Sequence, residues 1–155
     1  NLSLAGTPAP TEPLAEILAD LDTVGAEAAT RAVRTDGSVR CTGPVVVADL
    51  RHRVSIAAGH APLALATALD ARGALARVVH DVESAVAASE PPVAVVREPL
   101  ADAVEGASLS ALLAARPDTV VVHTGLASAA PVAERIVYAH GAGRVNAEAA
   151  VALLV

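Results

Sequence analysis

The stretch Asp118-Thr119-Val120-Val121-Val122-His123-Thr124-Gly125 decides the fold class. Three consecutive β-branched apolar residues, left at a glycine, predict a strand that is buried on both faces. Such runs are typical of parallel sheets that carry helices on each side. Open α/β sheets bind their ligands outside the carboxyl ends of the strands. We therefore expect any chemistry of this chain at the edge of the sheet where this stretch ends.

The rest of the chain repeats this pattern. Buried runs at 44–49 and 93–96 and shorter ones at 75–80 and 135–139 predict further strands. Helical spacing from residue 14 predicts a helix that Thr35-Asp36-Gly37 ends, and further helices are predicted at 60–73, 81–88, 101–115 and from an N-cap at Asn146. The order is counted as a helix, four strand–helix units, then a final strand and helix, the fourth unit being the strand at 118–125 with the loop through Pro131. It predicts a three-layer α/β/α sandwich with a mostly parallel sheet, of Rossmann or flavodoxin-like build.

Composition and length bound the organisation of the chain. Its 155 residues fit one domain, expected at 14–155, and the proline-rich stretch 1–13 is expected to be a linker. The sequence is 54% hydrophobic without Phe, Trp or Met, so the core must consist of Val, Leu, Ile and Ala. The net charge of −6 and the scattered arginines argue against nucleic acid and anionic membranes as partners. No apolar stretch has the length of a membrane span.

Motifs for cofactors, metals and nucleophiles are not found in the sequence. No strand is followed by a glycine-rich phosphate loop, and Gly141-Ala142-Gly143 is interpreted as a turn. No serine lies in a nucleophile elbow. Cys41 is the single cysteine and is expected to be an inert thiol, and no two histidines have the spacing of a helical metal pair. We therefore predict neither a cofactor nor a metal.

The candidate site residues are polar side chains near predicted strand ends. Asp49 and Glu98 could form a carboxylate pair for glycoside hydrolysis, although strand-end acids more often bond loop amides. Arg51, His52 and His123 could form a rim that binds a small acidic or neutral ligand. Loop histidines are commonly solvated, and the histidine that a parallel strand would deliver to the ligand edge is His123. The other histidines are His60, His80 and His140.

Several segments resemble a known family. The stretch 116–126, which starts Arg116-Pro117-Asp118, and the stretch 135–150, which contains His140-Gly141-Ala142-Gly143-Arg144, are similar to the end of bacterial family 3 glycoside hydrolases. The β-N-acetylglucosaminidase branch in its two-domain form is the most similar. Residues 24–34 resemble the helix that leads into the second domain of that family, and Leu50-Arg51 with Ile56-Ala57-Ala58-Gly59 also fits. The resemblance covers about residues 14–155.

The resemblance implies a non-catalytic C-terminal domain. Such enzymes have an N-terminal (β/α)₈ barrel that carries the aspartate nucleophile and a histidine–aspartate acid/base loop, followed by an α/β/α sandwich. In other branches the second domain supplies a glutamate as acid/base, and Glu98 is the weak candidate for that part, since the loop 97–105 lacks the expected histidines. The chain starts without a Met and is interpreted as a piece of a larger protein, inactive without its barrel. Its implied partners are that barrel and an amino-sugar substrate.

An alternative stays open from the residues alone. The chain could be a free-standing flavodoxin-like domain that binds a ligand or regulates another protein. A well-formed pocket with converging polar groups would favour this alternative. An exposed apolar patch would favour the domain of a larger enzyme, because a domain separated from its partner exposes the surface that the partner covers.

Overall fold

A computed structural model describes residues 14–52 and 64–155. The predicted linker 1–13, His60 and the loop segment Ile56-Ala57-Ala58-Gly59 lie outside the described residues. In the described part, α-helices and β-strands alternate after an initial helix. The helices are α1 (Leu14–Ala32), α2 (Ala64–Ala71), α3 (Val82–Ala87), α4 (Ala103–Ala115) and α5 (Arg144–Leu154). The strands are β1 (Arg34–Asp36), β2 (Val45–Asp49), β3 (Ala76–Val79), β4 (Pro92–Val96), β5 (Val120–His123) and β6 (Ile136–Tyr138).

The six strands form one sheet in the order β1-β6-β5-β4-β2-β3. All neighbouring strands from β2 to β6 are parallel, and only β1 runs antiparallel, at the edge beside β6. The five parallel strands have the flavodoxin-like order, in which the chain reverses its direction across the sheet between the neighbours β2 and β4. A ligand crevice is expected outside the carboxyl ends of these two strands.

Helices cover both faces of the sheet, so the predicted three-layer α/β/α sandwich is confirmed. Val45 and Val47 of β2 face a core layer with α1, α2 and α5, whereas Val46 and Ala48 face the other layer with α3 and α4. This division follows from the two-residue period of a strand. Every residue of β4 and β5 is buried. Valine, leucine and alanine fill both layers, with Cys41 in the first and Ile136 in the second.

Three details of the predicted chain order are wrong. Helix α1 ends at Ala32, and Arg34–Asp36 forms the edge strand β1 rather than a helix end. The fourth strand–helix unit does not form, because a single 3₁₀ turn (Ala127–Ala129) connects β5 to β6. Asn146 does not cap α5, which starts earlier at Arg144. Its side-chain Nδ2 instead donates a hydrogen bond of 2.9 Å to the Ala139 carbonyl.

Side chains also fix the edge of the sheet where the strands begin. The Arg116 guanidinium donates to the Asp118 carboxylate at 3.0 Å and to the carbonyls of Ala88 and Glu90. This joins the loop before β5 to the loop before β4. The hydrogen bond from Arg116 holds the pKa of Asp118 below its usual value. Arg116-Pro117-Asp118 belongs to one of the segments that carried the family resemblance. At the edge where the strands begin, its role is structural, because it ties two loops together.

Candidate functional site

The carboxyl edge of the sheet brings the ends of β2, β4 and β5 together. The predicted rim residues Arg51 and His52 follow β2, and the third, His123, is the last residue of β5. The catalytic candidate Glu98 follows β4. At this edge the structure also places Thr124 and Gly125 after β5 and His140 and Gly141 after β6. The side chains differ strongly in burial and direction.

Arg51 is held by an acid from its own strand. Its Nε and Nη2 atoms each lie 2.7 Å from a carboxylate oxygen of Asp49, and both side chains are largely buried. This two-point pair raises the pKa of Arg51, and the charge of Glu105 acts in the same direction while burial opposes it. Asp49 thus neutralises Arg51. Its Oδ1 also accepts from the Arg51 backbone amide at 3.4 Å, which is the loop-amide bond common for strand-end acids.

Glu98 and His52 lie at the outer surface of the rim. The Glu98 side chain is 51% exposed, and its Oε1 lies 3.8 Å from Nη2 of Arg97. The His52 ring is 55% exposed, with Nδ1 3.5 Å from Oδ2 of Asp102. Asp102 caps α4 by accepting from the amides of Val104 and Glu105, and these hydrogen bonds lower its pKa.

Glu105 is a buried carboxylate that the sequence analysis did not single out. It lies in the first turn of α4 and is only 3% exposed. Its Oε1 accepts hydrogen bonds from the backbone amides of Arg97 and, at 2.9 Å, of Glu98. The carboxylate therefore fixes the start of the loop after β4. A carboxylate near the start of a helix also suits the positive end of the helix dipole.

His123 is fully buried and faces the α3/α4 side of the sheet together with Val121. Within residues 14–52 and 64–155, neither ring nitrogen has a hydrogen-bond partner. Burial lowers the pKa of His123, the Arg97 backbone opposes this shift, and His140 adds to it. The ring is therefore neutral near pH 7. Thr124, the next residue, lies on the opposite side of the sheet, which α2 and α5 cover.

Gly125 makes the close approach of two strand ends possible. A Cβ atom at this position would overlap the Arg97 carbonyl oxygen and lie 3.1 Å from Nε2 of His123. The preceding Thr124 donates from both its amide and its hydroxyl to the Val96 carbonyl, at 2.8 and 3.0 Å. The exits of β4 and β5 are thus joined by two hydrogen bonds to the Val96 carbonyl, and position 125 has no room for a side chain.

A shallow cavity opens on the α2/α5 side of this edge. Its volume is about 260 Å³ including the open mouth, and its enclosed part has room for about one water molecule. Among the described residues that line it, Arg51 and Thr124 have polar side chains, and both already bond within the protein. The other lining residues are small or apolar: Leu65, Val95, Val122, Ala139, Gly141, Ala142 and Ala147.

The structure therefore brings Arg51 to the cavity and leaves His52, Glu98 and His123 outside it. A binding role for Arg51, His52 and His123 stays a prediction. Within the described ranges, no three His, Cys, Asp or Glu side chains are grouped so that they could hold a metal ion. None of the described helices has the length and apolarity needed to cross a membrane. Cys41 is buried, which raises the pKa of its thiol, with Arg135 opposing.

The fold and this edge define a flavodoxin-like α/β/α domain. The polar side chains that line its cavity, Arg51 and Thr124, are bonded to other groups of the domain. The sequence matches no protein-family model and no curated protein. Among solved structures, a glycoside hydrolase family 3 β-N-acetylglucosaminidase from Paenibacillus sp. strain FPU-7 is similar, with a TM-score of 0.68 and 19% identity. A fungal multi-domain family 3 β-N-acetylglucosaminidase, which also has a GCN5-related glucosamine N-acetyltransferase region, gives a TM-score of 0.69 and 10% identity.

The two structural neighbours are much longer than this chain. The match covers 96% of this chain and 32% of the Paenibacillus chain, and 92% of this chain and 19% of the fungal chain. The neighbours confirm the family resemblance seen in the sequence, and at these identities they establish a shared fold. The chain thus has the fold of one part of a larger multi-domain protein.

Proposed function

We propose that the chain is the non-catalytic C-terminal domain of a longer family 3 glycoside hydrolase of β-N-acetylglucosaminidase type. In this proposal a separate (β/α)₈ barrel of the same parent chain cleaves the O-glycosidic bond. The observation that carries it is the match of nearly the whole chain to about a third or a fifth of two such enzymes. The amino-sugar substrate and the barrel are parts of the proposal.

The surroundings of the acidic residues support a non-catalytic role. Glycoside hydrolysis commonly needs two carboxyl groups about 5–10 Å apart across the sugar, one of them with a raised pKa that burial can supply. Glu98 is half exposed beside Arg97, and Asp49 is committed to Arg51 in a two-point ion pair. Glu98 thus lacks burial, and Asp49 is already paired with a base.

The cavity supports this proposal over a free-standing ligand-binding domain. Ligand pockets usually measure about 300–1,000 Å³ and contain a few polar groups that converge on the ligand. Among the described residues, the enclosed part of the cavity has room for about one water molecule, and the two polar side chains in its lining are bonded to Asp49 and to the Val96 carbonyl.

The test is hydrolysis of p-nitrophenyl N-acetyl-β-D-glucosaminide by this chain alone and by its longer parent. We expect activity only in the parent. In the parent, Glu98→Gln should change kcat less than about 2-fold, as should the control Glu83→Gln at an exposed position of α3.

Three outcomes would contradict the proposal. Activity of the 155-residue chain by itself would place the chemistry in this domain. A loss of about 100-fold or more in kcat for Glu98→Gln, with the control unchanged, would make Glu98 the acid/base. Absence of hydrolysis in the parent would remove the glycosidase assignment.

A further inference from the structure

The first half of α1 has an apolar face that the described part of the chain leaves uncovered. At 100° per residue, five apolar side chains between positions 14 and 24 lie within about 120° of the helix circumference. Their exposed fractions range from 41% to 69%, whereas large apolar side chains of a core are nearly fully buried. The five residues, called here the α1 stripe, are Leu14, Ile17, Leu18, Leu21 and Val24.

The second half of the same helix packs on its own domain. Ala29, and Val33 just after the helix, belong to the core layer that contains α5. Asp22 forms an ion pair of 2.7 Å with Arg144 at the start of α5. The helix is therefore fixed at one end, and its stripe is presented in a defined position.

The charged residues of α1 from position 16 to 27 are acidic, and Arg31 follows only in the last turn. Glu16, Asp20 and Glu27 lie together on one flank of the stripe, and Asp22 lies on the other, where Arg144 neutralises it. A surface that covers the stripe must therefore be apolar at its centre and basic along the first flank. Two copies of the stripe would bring acidic flanks together, and an anionic membrane would repel them.

We propose that the α1 stripe docks into an apolar groove with a basic rim on another domain of the parent chain. This inference rests on the proposed function, which supplies the additional domain. It adds the surface of contact and the chemistry of the partner. In the two structural neighbours this fold makes up 32% and 19% of the chain. A parent of similar length would have room for such a domain.

The test compares side-chain labelling by hydroxyl radicals in the 155-residue chain and in the parent. We expect Leu18 and Leu21 to be labelled at least about 5-fold more slowly in the parent. Leu21→Glu in the parent should restore the labelling of Leu18. The control Val132→Glu, at a fully exposed loop position, should leave the protection unchanged. Asp20→Arg should also reduce the protection, because it reverses one charge beside the proposed basic rim.

Each contrary outcome is distinct. If the parent hydrolyses the glucosaminide but Leu18 and Leu21 are labelled equally in both proteins, the docking inference is wrong and the proposed function stands. If the 155-residue chain sediments as a dimer that Leu21→Glu dissociates, the occupant is a second copy. If the chain floats with phosphatidylcholine–phosphatidylserine vesicles, the occupant is a lipid surface. Absence of hydrolysis in the parent would contradict the proposed function itself.

Discussion

Replacement of Glu105 by alanine tests the buried carboxylate that holds the loop after β4. The variant would leave the amides of Arg97 and Glu98 without their acceptor. Hydrogen bonds to charged groups contribute about 1.5–3 kcal/mol each, and the two amides here are only partly buried. Two bonds at the low end of that range give about 3 kcal/mol. The variant no longer has to bury a charge, and this saving reduces the net loss. We therefore expect a loss of about 2–3 kcal/mol in the free energy of unfolding.

The assay is equilibrium unfolding of the 155-residue chain in urea, followed by circular dichroism. With a slope of about 1.5–2 kcal/mol per M, the midpoint should fall by about 1–2 M. Glu105→Gln keeps an acceptor oxygen and should lose only about 1 kcal/mol. The control Glu27→Ala, at an exposed position of α1, should change stability by less than about 0.5 kcal/mol. A loss below about 1 kcal/mol for Glu105→Ala, or equal losses for the alanine and glutamine variants, would refute the reasoning.

Two further predictions concern His123 and a pair of helix glycines. Because burial lowers the pKa of His123, the unfolded chain binds more protons than the folded chain at acidic pH, so stability should fall from pH 7 to 5, by at most about 2 kcal/mol if the folded ring stays neutral. Urea unfolding at both pH values should show this slope flattened in His123→Leu but kept in the exposed control His80→Leu. In the same assay at pH 7, Gly25→Ala should stabilise by about 0.5–1 kcal/mol. Gly106→Ala should instead destabilise by about 1–3 kcal/mol, because its Cβ would overlap the Pro99 carbonyl oxygen. The reasoning would be contradicted if the pH slope flattened in His80→Leu and not in His123→Leu. It would also be contradicted if Gly25→Ala destabilised the chain and Gly106→Ala stabilised it.

The sequence predicted the strands that consist of apolar residues, because such residues indicate burial directly. Strands β2, β4 and β5 are nearly continuous runs of valine and alanine, because each is covered by helices on both sides. Strand β1 has no such pattern, since Arg34, Thr35 and Asp36 are all exposed. It exists because it pairs with β6, about a hundred residues further along the chain, and because the Tyr138 hydroxyl donates to the Asp36 carboxylate at 2.8 Å. A hydrophobic pattern within β1 cannot indicate a pairing with a strand so distant in the sequence.

The site was predictable in position but not in detail. That Arg51 and Glu98 follow strands was enough to place them at one edge of the sheet. The partners of Glu105 are backbone amides seven and eight residues before it, and backbone amides leave no sequence signal. For His123, the side chain at the end of a strand faces one of two sides, and the register of β5 places it opposite the cavity.

The two borders of the sheet have a consequence for how this fold meets other sheets. Unpaired strand borders invite pairing with other chains, and charged side chains suppress it. Strand β1 carries Arg34 and Asp36, and β3 carries Arg77, whose Nη2 lies 3.5 Å from a carboxylate oxygen of Glu90. Val78 of β3 is partly exposed as well, but an arginine lies on each border strand. The charges on both border strands therefore disfavour pairing of this sheet with the border of another sheet, including that of a second copy.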